Sequence, residues 1–323
     1  QSAEALGLDV SQEGQESTAG AQEPTTDRVA AVKTVEQSPP LAVMVGSLAA
    51  RIAQQAAAAP KLTAEQEAVL EAARAVEAAR GSGQRVLVIG AGAGTGKTFT
   101  LKQLEQVLQG NGQYTAFNSS LVAESKAKFK RAACNTTHSL AFRAVGHKYK
   151  HRLNGPRVKS HQVAAMLGME DLYVELPESV QPAEGGKPAT RRLKVAYLAG
   201  QVTQAVNRFC QSADPEVGLK HVHRIDGIDA KDERTNSDRV REHLLGYARA
   251  AWADLTDPEG KLPFSHDCYV KIWSMGVGSD RPVIAADYIL VDETQDTSAV
   301  MLSILQQQTH ALLILVGDDC QQI

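Results

Sequence analysis

Cysteine is scarce in this sequence: Cys134, Cys210, Cys268 and Cys320 are all there are, and no two of them form a C-x-x-C pair. That pattern argues against a disulfide scaffold and against a structural zinc, and it reads as reduced, intracellular thiols. No apolar stretch approaches the roughly 20 residues needed to cross a bilayer, and the opening Gln1-Ser2-Ala3-Glu4 carries no signal-peptide pattern. An excess of positive charge is missing too. With 34 basic against 37 acidic side chains and a formal charge of -3, any contact with a polyanion has to come from a local patch. What is present is ordinary globular material, 323 residues with 43% hydrophobic content, enough for one large or two modest domains.

From Gln1 to about Pro40 the chain is rich in Gln, Ser, Thr, Ala, Glu and Pro, a composition that cannot offset ordering entropy and predicts a disordered segment. Leu41 to Ala59 fits either a helix or a loose Ala tract, closed by Pro60, so a domain is expected to begin near Lys61. Thr63-Ala64-Glu65-Gln66 fits a capping box ahead of a helix through Val76. Val86-Leu87-Val88-Ile89 is a continuous apolar run, which predicts a strand covered on both faces. A helix follows from Thr98 to Leu108, then a strand at Tyr114-Thr115-Ala116-Phe117. Two further strand-like runs come late, Tyr288-Ile289-Leu290-Val291 and Leu312-Leu313-Ile314-Leu315-Val316, with a helical stripe of Val300, Met301, Ile304 and Leu305 between them. Strand, helix, strand predicts an α/β fold with a parallel sheet. The expected division is a segment over 1–60, a sheet domain over 61–154 and 264–323, and an inserted, mostly helical subdomain over 155–263. The chain starts without Met and stops at Ile323 straight after a strand pattern, which reads as a fragment at both ends.

Gly90-Ala91-Gly92-Ala93-Gly94-Thr95-Gly96-Lys97-Thr98 lies between an expected strand and an expected helix, the setting a phosphate-binding loop requires. Glycines let backbone N–H groups turn toward a phosphate and the helix N-terminus adds positive partial charge. Lys97 can then reach the γ-phosphate, and the Thr98 hydroxyl can ligate Mg²⁺. The loop alone does not choose among kinases, transporters, GTPases and motors. A second element narrows the choice, because the strand ending at Val291 runs into Asp292-Glu293-Thr294-Gln295-Asp296. A carboxylate at the carboxyl end of a parallel strand can hold Mg²⁺, the role assigned to Asp292, and a second can orient the attacking water, the role assigned to Glu293.

Charge is unevenly spread. Lys126, Lys128, Lys130, Arg131, Arg143, Lys148, Lys150, Arg152, Arg157 and Lys159 fall in a stretch from Ser125 to Met169 that holds no Asp or Glu. Such a run is either a solvated face or a patch for phosphates, with Phe129, Phe142 and Tyr149 as candidate stacking surfaces. His221 and His223, two positions apart and without a third ligand, read as surface residues rather than a metal site.

Three of these stretches, Ala91 to Thr98, Asp292 to Asp296, and Val316-Gly317-Asp318-Asp319-Cys320-Gln321, resemble in order and spacing motifs I, II and III of the UvrD/Rep-like superfamily 1 DNA helicases. Leu62 to Gln66 is similar to the adenine-reading Q motif, Phe117-Asn118-Ser119-Ser120 to motif Ia and Thr137-His138-Ser139-Leu140-Ala141-Phe142 to motif Ib. Together with Ser265 to Trp273, the wording is most similar to the F-box DNA helicase branch, over roughly Lys61 to Ile323. The branch usually has lysine where Ser119 stands, and no F-box is visible in the first sixty residues.

The resemblance implies a RecA-like P-loop ATPase domain that uses ATP and Mg²⁺. In it, Ala91, Gly92, Ala93, Gly94, Thr95, Gly96, Lys97 and Thr98 hold phosphate, Gln66 contacts adenine, Glu293 activates water and Gln321 senses the γ-phosphate. Phe117, Asn118 and His138 would lie along single-stranded DNA. It further implies 3′ to 5′ movement, a role in DNA repair or recombination, and a second RecA-like domain whose arginines this chain does not contain, so that it would bind ATP but hydrolyse it poorly. The compartment would be the nucleus of a eukaryote or the cytoplasm of a bacterium, with the N-terminal segment as a place for protein partners. A P-loop ATPase or nucleotide kinase indifferent to DNA, and a nucleotide-binding module without turnover, are the rival readings.

Overall fold

The computed structural model describes residues 61–79, 83–92, 94–116, 118–177, 189–231, 234–276 and 283–318. The chain divides between Lys61 and Leu62, and the fold below is that of the second part. The low-complexity and Leu41–Ala59 readings lie outside the described residues.

The first helix, α1 (Ala64–Ala78), starts with the expected capping box: Gln66 N–H donates to Thr63 Oγ1 at 3.3 Å and Thr63 N–H donates to Gln66 Oε1 at 3.1 Å. Both bonds satisfy donors that the start of a helix otherwise leaves open. Along the chain follow β1 (Arg85–Gly90), α2 (Lys97–Val107), β2 (Gly112–Ala116), α3 (Ser119–Lys128), β3 (Ala132–Thr136) and α4 (Thr137–Ala144). A mostly helical stretch comes next. It holds the single turn α5 (Lys150–Leu153), α6 (Ser160–Met166), an antiparallel hairpin of β4 (Leu172–Glu175) and β5 (Thr190–Leu193), and the long α7 (Val195–Gln211) and α8 (Thr235–Thr256). Last are α9 (His266–Ser274), β6 (Tyr288–Val291), α10 (Ala299–Gln306) and β7 (Leu312–Gly317).

Five strands form one parallel sheet in the order β1-β7-β6-β2-β3. Their carboxyl ends all face the same way, so the loops leaving β1, β7 and β6 are neighbours in space. Alternation along the strands sorts the core into two layers. Tyr114, Leu290, Ile314 and Val316 pack with Leu70, Leu101 and Leu104 of α1 and α2, while Ile289, Val291 and Leu313 pack into the larger core that includes α7, α8, α9 and α10. The expectation for β1 needs correcting. Val88 is 72% exposed and Val86 39%, so the strand alternates instead of being covered on both faces. It is one of the two edge strands of the sheet, and a short apolar run cannot reveal that position.

Several polar side chains hold this frame from inside. Lys271 of α9 is buried, donates to the carbonyls of Ser212 and Asp214 at 2.8 and 2.6 Å, and lies 4.2 Å from the Phe209 ring centroid. Burial pulls its ammonium pKa down to about 8. His221 is not the surface residue its spacing suggests: it is 3% exposed, with Nε2 2.8 Å from Asp214 Oδ2 and its ring edge-on to Phe209. No group of three or more His, Cys, Asp or Glu side chains that could hold a metal forms around it or elsewhere among the described residues. Among those residues no helix is long and apolar enough to cross a membrane.

Glu105 near the end of α2 is buried and accepts the backbone N–H groups of Lys130, Arg131 and Ala132 at 2.9, 2.6 and 2.7 Å. It thereby fixes where β3 enters the sheet. Glu105→Ala leaves three donors without that acceptor, and urea denaturation is expected to show a loss of about 3 kcal/mol, whereas a change within about 0.5 kcal/mol would exclude this role.

Candidate nucleotide-binding site

β1 ends at Gly90 and the chain turns through the glycine-rich loop into α2. Gly94 and Gly96 have φ of +75° and +86°, a region in which a Cβ is strained, so glycine is needed at both places. The loop is tied to the sheet by Ala91 N–H donating to Gly317 O at 2.9 Å, and to itself by Thr95 Oγ1 donating to Gly92 O at 2.8 Å. Gly96 stands at the N-cap of α2, so Lys97 and Thr98 occupy its first turn, where the helix end favours an anion. Ala93 lies outside the described residues.

The acidic pair sits opposite. Asp292 N–H donates to Thr115 O at 3.1 Å, which carries the β2–β6 pairing one residue past the end of β6. Asp292 is 4% exposed. Its Oδ1 accepts the Glu293 N–H at 3.1 Å and its Oδ2 accepts the Tyr114 hydroxyl at 2.9 Å. Burial, helped by the charge of Glu293, pushes the Asp292 carboxyl above its ordinary pKa. A desolvated carboxylate of this kind gains from a cation.

Glu293 turns the other way, toward the lysine. Its φ is +52°, the only positive value at a non-glycine among the described residues, and strain of that kind clusters where a side chain has to be aimed. The result is a bond of 2.9 Å from Lys97 Nζ to Glu293 Oε2, across 196 positions of sequence. Gln295 Nε2 donates to the same Oε2 at 2.7 Å, and Gln295 Oε1 accepts the Asp318 N–H at 3.1 Å, so one amide joins the acidic strand end to the end of β7. Burial alone would raise the Glu293 carboxyl; the hydrogen bonds of Gln295 and Lys97, with the lysine charge, outweigh it and hold it below the usual glutamate value.

Beside this pair lies a cavity of about 420 Å³ whose walls include Gln66, Val69, Ile89, Gly92, Lys97 and Val316. Apolar side chains line one part and the phosphate loop the other, which suits a flat base joined to a charged tail. Gln66 serves two places at once. Its Oε1 closes the capping box, while its Nε2 lies at the loop, 3.2 Å from where a Cβ on Gly96 would be. As for a metal, Asp292 and Thr98 offer hard oxygen donors and Asp292 is already desolvated, so the donor set suits Mg²⁺ and not a soft thiolate-seeking ion.

The residues expected along a nucleic acid are placed less uniformly. Asn118 caps α3, its Oδ1 accepting Ser120 N–H and Ser120 Oγ at 2.9 Å each. His138 in the first turn of α4 is partly exposed, with Nε2 3.3 Å from Asp267 Oδ1; that hydrogen bond, against the opposing effect of burial, keeps the Asp267 carboxyl below its ordinary pKa. Phe117 and Gln321 lie outside the described residues, as do Asp319 and Cys320.

The basic run also needs revision. Phe129 and Tyr149 are 5% and 4% exposed, Phe129 against Tyr114 and Tyr149 stacked on Phe264, so neither offers a stacking surface. Arg152 is framework: it bonds Asp254 and the carbonyls of Asp254 and Leu262, over the Phe264 ring. The rest divides. Lys126, Lys128, Lys130 and Arg131 are exposed before β3, and Arg143, Lys148, Lys150, Arg157 and Lys159 are exposed after it. The strand between the two groups is five residues, or about 16 Å, long.

Three residues escaped the sequence reading of roles: Tyr114, Gln295 and Asp267. Gln295 and Asp267 stood inside quoted motifs without a job. For Tyr114 nothing along the chain signalled more than a buried aromatic.

A parallel sheet, a glycine loop entering a helix and an acidic strand end beside it define a P-loop NTPase of the AAA type. The model of the AAA domain family matches residues 73–323, and the chain belongs to that family, which includes the UvrD/Rep-like helicases. The chain is similar to the F-box DNA helicase protein 1 of Schizosaccharomyces pombe, 27% identical over 251 residues that cover 74% of this chain and 26% of that protein. It is also similar to the F-box DNA helicase 1 of Gallus gallus, 29% identical over 273 residues that cover 81% of this chain and 24% of that protein. The chain thus spans about a quarter of the length of these curated relatives.

Since Lys97 is held by Glu293, the two charges should have opposite effects on nucleotide affinity. Titration with a fluorescent ATP analogue is expected to show Lys97→Ala binding at least about tenfold more weakly and Glu293→Gln binding as tightly as the parent or more so; equal losses in both would exclude this arrangement.

Proposed function

We propose that this chain is the ATP-binding part of a DNA helicase or translocase that acts on single-stranded DNA, moving 3′ to 5′ and serving DNA repair or recombination. Residues 61–154 and 264–323 would form its RecA-like ATPase domain and 155–263 a helical insertion. The observation that carries the reading is the 2.9 Å bond between Lys97 and Glu293, which brings the phosphate loop and the acidic strand end to one point. The two DNA helicases named above, matched over most of this chain, support the coupling to DNA.

The chemistry follows from what each group can do. ATP enters with its base toward Gln66, Val69 and Ile89 and its phosphates over the N-terminus of α2, where its γ-phosphate draws Lys97 away from Glu293. Mg²⁺, held by Thr98 and Asp292, would neutralise charge on the β- and γ-phosphate oxygens. Glu293, freed from the lysine and still held by the Gln295 amide, accepts a hydrogen bond from the water that attacks the γ-phosphorus. Gln295 carries the change at Glu293 to the backbone of Asp318 and so to the strand end where Gln321 would report the γ-phosphate.

For the nucleic acid, the face after β3 is favoured over the one before it. Asn118 and His138 lie at the carboxyl ends of β2 and β3, the same side as the ATP cavity, and Arg143, Lys148 and Lys150 follow them.

Two measurements test this reading. ATP hydrolysis by the complete gene product is expected to rise at least about tenfold with single-stranded DNA and to fall by about 10²-fold or more in Glu293→Gln; activity indifferent to DNA would favour an uncoupled ATPase. Binding of a fluorescent oligonucleotide to this chain is expected to weaken steeply with salt. Replacing both Lys148 and Lys150 by Gln should flatten the log K against log salt slope by about 0.7 per lost phosphate contact, while replacing Lys126 and Lys128 should leave it unchanged. The reverse pattern would move the strand to the other face.

A further inference from the structure

We infer that Tyr114 is a positioning residue for the metal-holding carboxylate: its phenol, buried in the middle of β2, fixes the rotation of Asp292. The inference rests on the nucleotide-site reading above, in which Asp292 holds Mg²⁺.

A carboxylate on a short side chain turns easily, because its last torsion is broad. At Asp292 two hydrogen bonds remove that freedom, one on each oxygen: the Glu293 N–H on Oδ1 at 3.1 Å and the Tyr114 hydroxyl on Oδ2 at 2.9 Å. The first is local and moves with the chain. The second comes from a different strand, 178 positions away, and ties the carboxylate to the rigid sheet. Tyr114 cannot easily move either. It is fully buried, and its ring centroid is 4.7 Å from that of Phe129.

Register explains why a tyrosine fits here. Tyr114 pairs with Leu290, two residues before Asp292, and both side chains lie on the face that α1 and α2 cover. A phenol is long enough to span that offset toward the strand end, and phenylalanine would fill the same space without reaching Asp292. The hydroxyl is therefore the part of this residue that serves the site, and the ring is the part that serves the core. Partners of this kind, one bond removed from a metal, commonly change metal affinity by about 10- to 100-fold when lost.

Tyr114→Phe separates the two roles because it keeps the ring. The measurement is binding of a fluorescent ATP analogue to the chain as a function of Mg²⁺ concentration, with a matched titration in EDTA and a thermal melt. The expected result is a Mg²⁺ midpoint at least about tenfold higher in Tyr114→Phe, with affinity in EDTA unchanged. A lower melting temperature with an unchanged Mg²⁺ midpoint would show a purely structural tyrosine and overturn the inference. Asp292→Asn is the reference: it should abolish the Mg²⁺ dependence, and if it does not, the metal reading of the site fails and this inference fails with it.

Discussion

The bond between Lys97 and Glu293 is the interaction on which the rest of this structure turns. It joins the loop after β1 to the loop after β6, two strands that are not neighbours, with β7 between them. Each side is held in place at some conformational expense. On the lysine side, Gly94 and Gly96 adopt left-handed backbone; on the acid side Glu293 does so with a full side chain, at a cost on the order of 1–3 kcal/mol. The hydrogen bonds from Lys97 and Gln295 offset that cost. Removing the lysine to a phosphate takes away one of them, so nucleotide binding changes the forces on Glu293 and, through Gln295, on the backbone at Asp318.

Around that point the buried polar groups are arranged so that little else can shift. Glu105 pins the start of β3 to α2, Tyr114 links β2 to the end of β6, and Lys271 fastens the Ser212–Asp214 turn to α9. These are bonds between elements distant in sequence, each inside a core where an unmade hydrogen bond is costly. A sheet held this firmly can present loop ends at fixed separations, which phosphoryl chemistry requires.

The sequence was most informative where local chemistry decides the outcome. The capping box at Thr63 and Gln66, the glycine loop and the parallel α/β order all follow from residue type and spacing, and the structure carries each of them. It was least informative where the answer depends on neighbours far along the chain. The run at Val86 to Ile89 does not disclose an edge strand, and the spacing of His221 and His223 does not disclose that one ring is buried against Phe209. Ten basic residues between Lys126 and Lys159 look like one patch until β3 is seen to separate them and Arg152 to be spoken for by Asp254. In the same way Tyr114, Gln295 and Asp267 gain meaning only from what they touch. Phe117 and Gln321, read from motif resemblance, lie outside the residues described here.

A structure of the chain with a non-hydrolysable ATP analogue and Mg²⁺ tests the central claim most directly. Lys97 Nζ should have left Glu293 and lie about 3 Å from a γ-phosphate oxygen, with Mg²⁺ beside Thr98 and Asp292 and the base against Gln66. Nucleotide bound elsewhere, with the lysine still on Glu293, would contradict the account.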